Sequence, residues 1–276
     1  MIPDTFLHFA HQGGGLLAPE NTLAAFELGA SYQPDALELD IQMTRDGHIV
    51  VLHDPTVNRT TDGAGPVSSF SLTELQRLDA GYHFTPDGGA THPFRGQGVR
   101  IPTLHEVFER FPNLLINIDL KEPAPEKEAR LWRTLQDARA SGRVIVGSFV
   151  CPSLRRFRRL AGAAVATSAC PGEVAAFVFS RRAYATRLLR PAYRALQVPE
   201  ASRGIRIVSP ASIRAAHRLG VKVHVWTINE ARDMERLLNW GVDGIMTDRP
   251  DLLADLLRRR QSHDAAPLSP AARERK

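Results

Sequence analysis

Short apolar stretches of strand length alternate with stretches of helix length from residue 5 to residue 257. This alternation constrains the fold more than any other feature, because strands joined by helical crossovers pair in parallel and build a sheet covered on both faces. The strand candidates are residues 5–10, 36–41, 48–52, 114–120, 144–147, 163–168, 222–228 and 244–247, with short extended pieces at 195–198 and 205–208. Eight candidates in a chain of 276 residues favour a closed (β/α)8 TIM barrel over an open sheet. The rhythm breaks after the third strand, where residues 55–100 hold one short helix and the Gly/Pro/aromatic run GYHFTPDGGATHPFRGQG. So long an irregular excursion is uncommon and often functional. The expected organisation is one α/β barrel domain over residues 1–257, an insertion at about 55–100, and a basic disordered tail over 258–276.

Charge and composition remove several function classes. The net charge is +5, but six Arg/Lys and two acids lie from Arg258 onward, so the tail carries +4 and the body +1. The basic balance therefore says little about the folded part, and no nucleic-acid motif accompanies it. No apolar run is long enough to span a bilayer. The opening MIPDTFLHFAHQ has neither a basic segment nor a long apolar one, so no signal peptide is expected. Cys151 and Cys170 are too few for a disulfide framework and lack zinc spacing, which makes a reducing cytoplasm the expected compartment.

Polar side chains gather where the strands end: His11, Glu38 and Asp40, His53, Asp119 and Lys121, Ser148, Trp226 and Asn229, and Asp248. In a barrel those ends form one rim, where active sites sit. Glu38 and Asp40 are two apart on a strand, so they share a face at roughly 6.5–7 Å. Carboxylates that close repel unless a cation or a shared proton lies between them. With Asp119 from another strand they make an all-oxygen set suited to Mg²⁺ or Ca²⁺ rather than zinc. The competing reading makes them rim partners of nearby Lys or Arg. His11 and His53 end the strands on either side, and unperturbed imidazole is the side chain suited to serve as base and acid in turn. Lys121 shares the face of Asp119 and favours an anionic substrate such as a phosphate. The Gly13-Gly14-Gly15 turn offers a close backbone approach or is a plain turn. Ser148 lacks the G-x-S-x-G surroundings of a hydrolase nucleophile.

The ordered set HQGGGLLAPENTLAAF, ELD, VVLHD, NIDLK and VHVWTIN…GVDGIMTDRPD resembles the glycerophosphodiester phosphodiesterase family over about residues 6–257. The resemblance implies a (β/α)8 barrel with an insertion after the third strand. It also implies metal-dependent hydrolysis of glycerophosphodiesters to glycerol 3-phosphate and an alcohol. By motif, His11 and His53 would be the acid/base pair, and Glu38, Asp40 and Asp119 the ligands of one divalent cation. Gln12, Lys121 and Trp226 would contact substrate. Two positions depart from the family pattern: Gln12 stands where Arg is usual, and Asp119 where Glu is usual. The alternatives are a lysophospholipase D acting on single-chain lipids, with peripheral membrane contact and an apolar channel from residues 171–195, and a binding protein without turnover. The expected partner is a small phosphodiester, and oligomeric state is not legible.

Overall fold

Residues 2–121 and 124–264 are described by the computed structural model. The strands are β1 (Leu7–His11), β2 (Ala36–Met43), β3 (Ile49–Val51), β4 (Leu115–Leu120), β5 (Val144–Gly147), β6 (Ala166–Thr167), β7 (Ala195–Val198), β8 (Ala201–Ser202), β9 (Ile205–Arg206), β10 (Lys222–Val225) and β11 (Gly244–Thr247). The helices are α1 (Leu23–Ser31), α2 (Leu72–Leu75), α3 (Leu104–Arg110), α4 (Pro125–Asp137), α5 (Cys151–Ala161), α6 (Pro171–Arg182), α7 (Pro210–His217), α8 (Ala231–Trp240) and α9 (Pro250–Asp264).

Eight strands pair in parallel in the order β6-β5-β4-β2-β1-β11-β10-β7. The two ends of this path meet at a parallel bridge between Ser168 and Ala195. Beside it, the Arg194 N–H donates to the Thr167 carbonyl and the Ala169 N–H to the Ala195 carbonyl, both at 2.8 Å. The ring therefore closes as the barrel that the alternation predicts, with β6–β7 as its thinnest seam. The membership of the ring differs in one place. β3 runs antiparallel to β2, pairing Ile41 with Val51 and Met43 with Ile49, and lies off the ring; β7 takes the eighth position. The reason is connection length. Only a tight turn separates β2 from β3, closed by the Gly47 N–H on the Thr44 carbonyl, with Gly47 at φ 82°. A hairpin fits that span; a parallel return needs a dozen or more residues.

β3 reads as an unbroken apolar run because both of its faces are covered. Ile49 and Val51 join the core under α3, whereas Val50 and Leu52 pack on Val57, Val67, Leu75 and Ile101 of the insertion that follows. The insertion thus carries its own small core, and α2 within it is closed by a capping box of Ser71 and Glu74.

Strand parity sets the rest. Leu37, Leu39, Ile41, Ile116, Ile118, Val144 and Val146 point outward onto Phe26, Phe108, Leu131 and Phe157 of the surrounding helices. A second outer cluster covers the other half of the ring, from Phe177 and Leu196 to Val225, Leu237 and Leu253. Inside, Leu7, Phe9, Ala36, Ile145 and Met246 fill the ring. Phe9 is fully buried, and truncating such a phenylalanine to Ala costs about 3–5 kcal/mol. The inward positions one step further along the strands are polar.

Three local expectations change. The two cysteines meet: Cys151 at the start of α5 is disulfide-bonded to Cys170, the N-cap of α6, with Cα atoms 5.2 Å apart. Their separation of 19 residues hides a contact that the adjacent βα units create. Of residues 171–195, the stretch from which an apolar channel is expected, α6 covers only Pro171–Arg182, and Ala183 caps it. The basic segment after residue 257 continues α9 as far as Asp264; residues 265–276 of the expected tail lie outside the described residues.

Candidate active site

Parity and register bring the inward polar residues to one rim. Across the parallel pairs, His11 lies beside Glu38, Glu38 beside Asn117, Asp40 beside Asp119, and Asp119 beside Gly147. His11, Glu38, Asp40, His53, Asp119, Lys121 and Trp226 all line one cavity of about 740 Å³. Gln12 does not line it. Its amide donates to Asp40 Oδ2 at 2.6 Å and its backbone N–H to Glu38 at 3.3 Å. It is buried, at φ 52°. The residue expected to touch substrate is thus placed behind the carboxylates, holding them.

Glu38 and Asp40 are almost fully buried. Burial, then the nearby Asp40 charge, pushes the Glu38 carboxyl up to about 8. Burial acts the same way on Asp40, but Lys121 and His53 outweigh it and hold Asp40 below its usual range. Burial raises Asp119, against the pull of Lys121. Lys121 sits between two of these groups, 2.9 Å from Asp40 and 2.7 Å from Asp119, so it supplies the positive charge they require. As placed, no three His, Cys, Asp or Glu side chains among the described residues close into a metal-holding group. The donor set nevertheless fits a hard divalent cation: three carboxylates share one rim, and Glu38 is destabilised as an anion by burial and then by Asp40.

Each histidine is held by a carboxylate. His11 Nδ1 lies 2.6 Å from Asp248, which accepts a further bond from the Asn229 amide at 2.8 Å. Its Nε2 is 3.6 Å from Glu38. Burial alone would lower the His11 imidazole, but Glu38, Asp248 and Asp40 together lift it to about 9. His53 Nδ1 lies 2.7 Å from Asp54, whose other oxygen accepts from Arg59 at 2.6 Å. Arg59 also forks onto Glu20 at 2.6 and 2.7 Å. The insertion thus does structural duty at the site, since its Arg59 holds Asp54, the partner of His53 at the end of β3. In both histidines the Nδ1 is occupied, which leaves Nε2 for proton exchange in the cavity.

Several of these partners are not identifiable from local sequence. Asn21 donates to Asp40 Oδ2 at 2.9 Å and accepts the Asp40 N–H at 3.1 Å. Thr22 caps α1, accepting from the Ala25 N–H. The Gly13 turn packs on α1: a Cβ on Gly13, at φ 85°, would sit 2.6 Å from the Ala25 backbone carbon.

The far wall of the cavity is apolar. Val174, Val178 and Phe179 of α6 face Ile205, Ile207 and Trp226, and Phe149 meets Trp226 edge-on at 5.7 Å between ring centres. The Cys151–Cys170 bond ties the Phe149 loop to the start of α6.

The model of the Glycerophosphoryl diester phosphodiesterase family matches residues 11–252. The chain is 37% identical to a glycerophosphodiester phosphodiesterase of Caldanaerobacter subterraneus, covering 92% of this chain and 98% of that one. It is 31% identical to a glycerophosphodiester phosphodiesterase of Bacillus subtilis, over 91% and 86% of the two chains. Among solved structures, the fold matches the glycerophosphoryl diester phosphodiesterase domain of a Mycobacterium tuberculosis protein with a TM-score of 0.81 at 24% identity, over 93% and 100% of the chains. It also matches an Oleispira antarctica phosphodiesterase in complex with the product sn-glycerol-3-phosphate, with a TM-score of 0.72 at 24% identity, over 91% and 96%.

Proposed function

The chain belongs to the glycerophosphoryl diester phosphodiesterase family, and from that premise we propose that it hydrolyses glycerophosphodiesters to glycerol 3-phosphate and an alcohol. The observation that carries the reading is the pair of carboxylate-held imidazoles, His11–Asp248 and His53–Asp54, opening on one cavity with the buried Glu38 and Asp40 and the partly buried Asp119. Asp248 and Asp54 orient the rings and fix the tautomer that keeps Nε2 available, the role of a carboxylate behind a catalytic histidine. One histidine takes the proton of the attacking hydroxyl, from water or from the substrate's glycerol; the other protonates the leaving alkoxide. Glu38, Asp40 and Asp119 would hold one Mg²⁺ or Ca²⁺, which when bound polarises the phosphoryl oxygen and offsets developing charge. Lys121 adds a positive charge at the same rim for the phosphate. Gln12 and Asn21 hold the Asp40 carboxylate in place from behind. Trp226 and Phe149 bound one side of the cavity, which would accommodate the alcohol.

The apolar wall favours a second reading of the alcohol. Val174, Val178, Phe179, Ile205 and Ile207 offer more hydrocarbon surface than a choline or ethanolamine group needs, which supports a lysophospholipase D activity on single-chain lipids. A non-catalytic binding role has less support, since both histidines keep their carboxylate partners. The test is turnover of glycerophosphocholine, glycerophosphoethanolamine and lysophosphatidylcholine after chelation, with Mg²⁺ or Ca²⁺ restored. Release of glycerol 3-phosphate from the first two supports the main reading. Preference for the lysolipid supports the second. Absence of turnover of all three under either metal refutes both.

A further inference from the structure

We propose that the surface spanning residues 179–190, beside the mouth of the cavity, is a docking face for anionic lipid bilayers. From Val174 to Pro199 the chain has five arginines, Arg181, Arg182, Arg187, Arg190 and Arg194, and no aspartate or glutamate. Among the described residues, none of the five meets a carboxylate: Arg190 donates only to the backbone carbonyls of Arg187 and Leu189. Among the described residues the most exposed large apolar side chains sit with them, Tyr184 at 94% and Leu188 at 74% between the arginines and Phe179 at 63% just before Arg181. With a body charge near neutrality, such a run of one sign is a local feature, and its complement is a negative surface.

The mixture identifies the partner. Isolated aromatic and leucine side chains interleaved with arginines suit the headgroup level of a membrane, where the rings enter the interface and the guanidiniums meet phosphates. A protein interface would instead gather its apolar residues at a charge-depleted centre. Position supports the assignment. Phe179 belongs both to this face and to the cavity wall, and Arg203, which follows β8, lines the same cavity with Arg206 exposed close by on β9. A bilayer against this face would lie at the cavity mouth. The proposal rests on the phosphodiester reading only for what the cavity then receives; docking is measured without turnover.

The full chain is sedimented with vesicles of phosphatidylcholine alone and of phosphatidylcholine mixed with phosphatidylglycerol. It should partition onto the anionic vesicles and not the neutral ones. Arg187→Glu with Arg190→Glu should lower partitioning about 30-fold or more, at about fivefold per arginine lost. Tyr184→Ser with Leu188→Ser should lower it as well. Both variants should turn over water-soluble glycerophosphocholine like the parent, which shows that they are folded. Failure of the parent to bind anionic vesicles overturns the proposal, as does unchanged binding by both variants, which would move the contact to the basic C-terminal segment. Equal affinity for a single-stranded oligonucleotide would also overturn it. Docking without glycerophosphocholine turnover would refute the phosphodiester reading and leave the face standing.

Discussion

Two histidines outside the proposed chemistry set the acid limit of this fold. His8 faces outward from β1 and His224 faces inward beside Phe9; they are 2% and 0% exposed, and the Nε2 of each is buried without a hydrogen-bond partner. Burial lowers both imidazoles to about 4 from the ordinary 6.5. The folded protein keeps them neutral where the unfolded chain already takes up protons. Between pH 6.5 and 4 the unfolded state binds more protons, so stability falls as pH falls. From pH 7 to pH 5 the loss is about 2 kcal/mol for each histidine and about 4 kcal/mol for both. Other groups titrate too. Glu38, raised to about 8, binds its proton earlier in the folded state and opposes the trend. The comparison is therefore with His8→Leu/His224→Leu, which removes both imidazoles and two unpaired buried nitrogens at similar volume. Urea unfolding of parent and variant at pH 7, 6 and 5, with chelator present, gives the difference in unfolding free energy at each pH. That difference should shift by about 4 kcal/mol toward the variant between pH 7 and pH 5. The imidazole carbon resonances of His8 and His224 should stay at their neutral positions over the same range. A pH-independent difference, or titration of either ring near 6.5, would refute the reasoning.

The site yields further expectations. His11→Ala and His53→Ala should each keep the fold and lower kcat by roughly 10²–10⁴; near-normal turnover of His53→Ala on an unactivated substrate would end the two-histidine mechanism. A substrate with a low-pKa leaving group should rescue only the variant lacking the acid, which assigns the roles. Asp40→Asn should weaken Mg²⁺ or Ca²⁺ binding measured by calorimetry, and chelation should abolish turnover of the parent; activity that persists without divalent cations would remove the carboxylates from metal binding. Gln12→Arg puts a second cation beside Asp40, whose other oxygen already meets Lys121. It should weaken divalent-cation binding about tenfold or more, and unchanged binding would mean that Gln12 does not set the charge at Asp40.

The barrel was legible because its information is periodic. Outward Leu37, Leu39 and Ile41 alternate with inward Glu38 and Asp40, and parity alone sends the acids to the rim. Of the seven side chains that line the cavity among those chosen from sequence, Glu38 and Asp40 lie within β2 and the others lie near or just beyond a strand end, where local pattern suffices. What local pattern misses are contacts between distant segments. Asp248 is 237 residues from its partner His11, and as a sequence feature it was only one more polar strand end. Arg59 sits in an irregular stretch with no period to mark its role. Gln12 follows His11 directly, yet a left-handed backbone turns it behind the carboxylates. β3 has the composition of a barrel strand, and only the shortness of the turn before it excludes that place.

The two outer core clusters divide the chain near residue 170, and the site divides with them. The imidazoles, the three acids and Lys121 all belong to the first part; the apolar wall from Val174 to Ile207 belongs to the second. The second part supports the reacting groups chiefly through Asp248 and Asn229, behind His11. Inheritance can therefore act on the two parts at different rates. Substitutions can accumulate along the wall and change which alcohol is accepted, while the proposed proton-transfer groups stay fixed in the other half of the gene. Chains of this design can diversify in diet without reinventing their chemistry.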